Sequence, residues 1–242
     1  MRPFLTARWV SLLLLNYRCP SELLEPLVPH GTQLDAWKGD HLISLVGFRF
    51  LNTRVRGATL WGHGSFEEVN LRFYVYRDVE EGARRGVVFI RELVPSLLIA
   101  SAARALYNEP YLTARMGHEV ELDVATGGRL RYSWERAGES HSIAGQVSGP
   151  AQALVPGSEA EFITEHYWGY NVQRNGDTLE YRVEHPRWMV WDCPDASYLG
   201  PARPLLYGRS FADILEADPA SAFVATGSEV AVHRGSRLVV GR

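Results

Sequence analysis

The sequence predicts a mainly β fold with α-helix only at its margins. Three observations carry this: apolar residues recur at period two along most of the chain, Gly, Pro, Asn and Asp punctuate it at short intervals, and amphipathic helical windows are few. At 242 residues, with 46% apolar and 22% charged side chains, the chain can bury a sizeable core. It shows no low-complexity linker and no internal repeat, so one domain spanning 1–242 is expected.

The elements follow in order. Arg2 and Arg8 precede the run Trp9 to Leu15, the charge-then-apolar order of a secretory leader, but Asn16, Tyr17 and Arg18 end it without a small-x-small cleavage site. A buried strand over 6–17 is therefore expected. Residues 41–52 read as a strand buried on both faces, and 66–76 alternates cleanly, with Val69, Leu71, Phe73 and Val75 opposite Glu68, Asn70 and Arg72. Further strands are expected over 86–94, 118–124, 129–136, 140–148, 178–184, 187–192, 222–224, 229–234 and 237–240. Ser21 opens a short amphipathic turn that closes at Pro29, and 95–107 has the residue content of the best helix. Ser158 with Glu161 forms a capping-box pattern for a third helix, running to about Tyr170. Loops are expected over 77–86, 125–128, 136–139, 149–157 and 174–177.

Several function classes lose their support. A net charge of −3 gives no basic field for nucleic acid or an anionic membrane, and no run approaches the roughly 18 apolar residues of a membrane span. Cys19 and Cys193 form neither a disulfide scaffold nor a C-x-x-C, so two reduced thiols in a cytoplasmic protein are expected. No two of the eight histidines lie closer than eleven residues, which removes H-x-H and H-E-x-x-H metal motifs. No metal and no cofactor is expected. There is no G-x-S-x-G elbow, Walker A sequence or dinucleotide fingerprint. The basic residues are 24 arginines and one lysine, so any Schiff-base chemistry must use Lys38 or the N-terminal amine.

What remains is the polar face of 66–76. On a one-sided sheet Glu68, Asn70 and Arg72 would meet water. In a closed barrel the same three would line the interior, where buried charges must pair and hydrogen-bond.

Glu68-Val-Asn-Leu-Arg-Phe-Tyr-Val75, then Gly86-Val-Val-Phe89, Ala103-Arg104 and Pro110-Tyr-Leu-Thr-Ala-Arg-Met116, resemble the YqjF-like family known as domain of unknown function 2071. Phe162 to Trp168, Val183 to Trp188 and Ala222 to Val230 fit the same order and spacing over nearly the whole chain. That family is similar to the acetoacetate decarboxylase-like superfamily. The resemblance implies a curled, mostly antiparallel sheet closed into a cone-shaped barrel with a pocket inside. It also implies that Glu68 occupies the place of a decarboxylase glutamate, and that Tyr111 and Leu112 follow Pro110 where the decarboxylases carry a lysine pair. The chain is then not expected to be a Schiff-base decarboxylase.

Glu68 and Tyr111 are the expected acid–base pair, with Asn70, Arg72, Arg104 and Arg115 as ligand-binding residues. Mutual pairing of these charges inside a polar barrel is the alternative use for them. Glu165 to Trp168 and His185 to Trp188 are secondary candidates. Two function classes stand: a binding protein for a small carboxylate or carbonyl compound, and an enzyme using Glu/Tyr acid–base chemistry of lyase or hydrolase type. The expected partner is a small molecule, anionic or carbonyl, and a homo-oligomer is compatible with the sequence.

Overall fold

The protein was analysed as a computed structural model, which describes residues 2–59, 64–101, 108–201 and 205–238. The first strands are β1 (Leu5–Arg18), β2 (Gln33–Leu34), β3 (Leu42–Val55), β4 (Ala58–Thr59), β5 (Phe66–Val79) and β6 (Gly82–Val94). They are followed by β7 (Tyr111–Thr113), β8 (Arg115–Asp123), β9 (Gly127–Arg136), β10 (Glu139–Ser148), β11 (Gln152–Ala153) and β12 (Trp168–Val172). The last are β13 (Thr178–Glu184), β14 (Met189–Asp192), β15 (Ser197–Leu199), β16 (Ser221–Val232) and β17 (Ser236–Leu238).

Strands β16, β1, β3, β5, β6, β12 and β13 pair in succession, and β13 pairs back to β16, which closes a seven-stranded barrel. Its junctions are antiparallel except β6–β12, which is parallel. A second sheet, in the order β15-β10-β9-β8, covers one outer flank. Val69, Leu71 and Phe73 pack outward with Tyr132, Trp134 and Ile143 of that sheet. The opposite faces of β1, β3, β5, β6 and β16 turn inward around Leu14, Val46, Phe48, Tyr74, Val87 and Phe223. Helix Glu159–Thr164 fills part of this interior through Phe162 and Ile163.

Register shifts rephase the alternation, two of them near the site's strands. In β1 the register slips between Val10 and Leu13, with Ser11 at φ 55°, so Ala7 and Trp9 point inward before the slip and Leu12, Leu14 and Asn16 after it. In β6 the slip opposite Leu71/Arg72 leaves Ile90 unpaired and places Glu92 and Phe89 across from Asn70 and Arg72.

The structure also corrects several expectations. The strands of the second hairpin run through most of the expected 77–86 loop, leaving a turn at Glu80 and Glu81 before Gly82 at φ 118°. The two strands expected over 222–224 and 229–234 are one strand, β16. The 158–170 helix stops at Thr164, because Glu165 leaves helical geometry (φ −95°, ψ 53°) and Trp168 begins β12. Its N-cap is as expected: the Ser158 hydroxyl accepts from the Glu161 amide at 3.2 Å. Helix Arg209–Glu216 was not anticipated. Of the 95–107 helix, residues 97–101 are helical and 102–107, including Arg104, lie outside the described residues. No described helix is long and apolar enough to cross a membrane.

Candidate functional site

The polar face of β5 points into the barrel. There Arg72 donates to the backbone carbonyl of Ile163, in the helix that fills part of the interior, at 3.4 Å. Register places Asn70 opposite Glu92, and Glu92 opposite Tyr111 on the parallel strand β7, so three strands present one polar row. Glu68 accepts from Asn70 Nδ2 and from the Tyr111 hydroxyl, both at 3.0 Å. Just before β7, Glu109 accepts from the Tyr181 hydroxyl of β13 at 2.5 Å. Glu68, Asn70, Glu92 and Glu109 are all buried.

Three carboxyls without solvent dominate the electrostatics. Burial pushes Glu68 and Glu109 up to about 7, against the downward pull of their phenol and amide donors. Glu92 rises well above the usual carboxylate range, first by burial and then by repulsion from Glu109 and Glu68. Arg72 lowers Glu68 through its charge. Burial and the surrounding carboxyls raise Tyr111 far above an ordinary phenol, so at neutral pH it is an un-ionised hydrogen-bond donor. A carboxyl that titrates near neutrality, held by such a donor, can take up or release a proton under ordinary conditions.

A second polar group lies further along the interior. Asp35 accepts from Arg85 Nε at 2.7 Å and sits 3.6 Å from His166 Nε2. Burial raises the Asp35 pKa, but the bonds from His166 and Arg85 outweigh it and bring the carboxyl to about 2. Burial holds His166 down at about 4, so its imidazole is neutral at pH 7. Its ring centroid is 4.7 Å from that of Tyr74, whose hydroxyl shares a 2.5 Å hydrogen bond with Ser44.

Of the residues expected from sequence, Glu68, Asn70, Arg72 and Tyr111 come together. Arg115 does not. It starts β8, the edge strand of the outer sheet, where its side chain is 89% exposed and 4.0 Å from Glu135. Lys38 is exposed in a turn at φ 49°, with Nζ 4.9 Å above the Trp37 ring. Sequence reasoning missed Glu92, Glu109 and Tyr181. For Glu92 the available signal was a carboxylate beside Leu93 and Val94 in a strand that the chain buries. The surface grooves lie elsewhere: one of about 750 Å³ runs over the outer sheet beside Arg131, Trp134 and His141.

Known proteins agree with this architecture. Enduracididine biosynthesis enzyme MppR, complexed with the condensation product of pyruvate and imidazole 4-carboxaldehyde, superposes with a TM-score of 0.67 at 13% identity, covering 98% of this chain and 90% of that one. Acetoacetate decarboxylase from Legionella pneumophila gives a TM-score of 0.67 at 13% identity, covering 98% of this chain and 87% of its own. These likenesses show the acetoacetate decarboxylase-like fold. In sequence, the uncharacterized protein YqjF of Bacillus subtilis is 28% identical over 184 residues, 75% of this chain and 73% of YqjF. The pattern of DUF2071, described as an uncharacterized conserved protein, matches residues 6–229, and the chain belongs to that family.

Proposed function

We propose that the barrel interior binds a small carbonyl or carboxylate compound, with Arg72 holding one of its oxygens and Glu68 with Tyr111 handling a proton on it. The observation that carries this reading is the buried Glu68–Asn70–Tyr111 network, because a carboxyl raised to about 7 by burial is costly unless it serves a purpose. Among the described residues Arg72 Nε is buried without a partner, which a ligand oxygen would satisfy. The Schiff-base route is set aside: Tyr111 and Leu112 follow Pro110, and Lys38 lies exposed over Trp37. Two buried unpaired cysteines are compatible with a reducing compartment and support a cytoplasmic location.

Calorimetric titration with pyruvate and acetoacetate tests the reading. Saturable binding is expected, weakened about tenfold to a hundredfold by Arg72→Ala, since a charge-assisted contact contributes roughly 1.5–3 kcal/mol. Binding should also tighten as pH falls and the three carboxyls take up protons. No binding at millimolar concentration, or a borohydride-trapped adduct on Lys38, would overturn it. Catalysis is the second reading, favoured by the titration of Glu68 near neutrality. It requires Glu68→Gln to keep binding and lose turnover.

A further inference from the structure

Among the described residues, the acid end of the barrel holds more carboxyl than facing positive charge. Glu68, Glu92 and Glu109 converge there, and among the described residues the cation whose charge lowers one of them, Glu68, is Arg72 on β5. Independently of that charge count, two buried polar atoms have no hydrogen-bond partner among the described residues: Asn70 Oδ1 and Glu92 Oε2. Their residues are 2% and 1% exposed and sit directly opposite each other in register. Asn70 already spends its amide N–H on Glu68, so its free atom can only accept. What the described residues leave unsupplied at this end of the barrel is a positively charged hydrogen-bond donor for these two atoms. A carbonyl or carboxylate supplies none, whereas an ammonium offers three donors and a guanidinium five. A divalent ion fits less well, because among the described residues no group of three or more His, Cys, Asp or Glu side chains is arranged to hold one.

Building on the reading above, we propose that the compound held in the barrel carries a basic nitrogen, an ammonium or guanidinium group lodged between Asn70, Glu92 and Glu109, with its carbonyl or carboxylate end toward Arg72. Asn70 and Arg72 are two residues apart on one strand face, about 7 Å, which sets the separation between the two ends of the ligand. Among the described residues, the groups facing the nitrogen are Glu68 and Arg72 from β5, Glu92 from β6, Glu109 just before β7, Tyr111 at its start, and Tyr181 from β13. A cation entering among protonated carboxyls displaces protons, so its binding strengthens with pH, opposite in sign to the binding of a plain carboxylate.

The test is titration calorimetry of the whole chain and of Glu92→Gln with 4-guanidinobutanoate, 4-aminobutanoate and pentanoate at pH 6 and pH 8. Gln matches the shape of the protonated carboxyl, so this variant is expected to fold, which its melting curve checks. The expected result is that the two basic compounds bind at least about tenfold more tightly than pentanoate, gain affinity at pH 8 with proton release, and lose about tenfold in Glu92→Gln while pentanoate does not. Pentanoate binding as well as the basic compounds, and tightening toward pH 6, would overturn this inference while leaving the proposed function standing. Glu92→Gln binding the basic compounds as tightly as the parent would also overturn it. No binding by any of the three would remove both readings.

Discussion

Glu92 shows how a single carboxyl can set the pH response of a fold. A carboxyl whose folded pKa lies above its unfolded value stabilises the fold while protonated, and that contribution is lost as pH rises through the folded pKa. Glu68, Glu92 and Glu109 all act in this direction, so melting temperature is expected to fall from about pH 5 to pH 8. Glu92→Gln should flatten that fall and be more stable than the parent at pH 8, since Gln carries no proton to lose there. A lower melting point for the variant at pH 8 would refute this. His166 acts in the opposite sense over an overlapping range. Its folded pKa, about 4, lies below the unfolded value, so its contribution is present above about pH 6.5 and lost as pH falls toward 4. His166→Asn should therefore remove part of the acid-side loss, measured by thermal melts between those limits. Glu68, Asn70 and Arg72 were legible in the sequence because one strand displays them at period two. Glu92 was not: the bulge at Ile90 breaks the alternation that would have placed it inside. Glu109 was hidden for a different reason, since it lies in no regular element and reaches the site only through the fold.

Among the elements, β12 is the one whose sequence misleads. Its residues continue a well-capped helical pattern, yet tertiary contacts take them into the barrel wall. Two glycines make that possible by close approach. A Cβ on Gly86 would come within 2.5 Å of the Trp168 carbonyl oxygen, and one on Gly169 within 2.1 Å of the Tyr181 ring. The β6–β12 seam rests on just two register pairs, Trp168 with Gly86 and Gly169 with Val87. Gly86→Ala is expected to force that seam apart and cost about 1–3 kcal/mol, the usual range for overpacking. Faster amide exchange in β12 than in β5 should accompany the loss. Unchanged stability would show that the seam does not need the approach. The strands β1, β3, β5, β6, β8, β9 and β10 could be read from alternation and turn residues because local pattern and final environment agree there. The two-residue strands and β15 could not, since so few residues carry no period of their own.

For the molecule as a whole, the barrel is wide-jointed on one side. Strands β16, β1, β3, β5 and β6 share long ladders, while β12 and β13 join them through two pairs at each seam. Hydrogen exchange should accordingly be fastest in β12 and β13, and slowest at β1 and β3. Equal protection across all seven strands would contradict that. The longest consequence comes from β1 itself, which pairs from Leu5 to Asn16 with residues Val232 to Ser221 at the far end of the sequence. During synthesis on the ribosome, the apolar segment from Leu12 to Leu15 emerges before β16 and stays without that partner until more than 200 further residues have followed. For that interval one side of β1 is a bare, sticky edge able to pair with another nascent chain. The protein's yield in a cell should therefore depend on how fast translation finishes, and slowing ribosomes late in the message should increase aggregation without altering the finished fold.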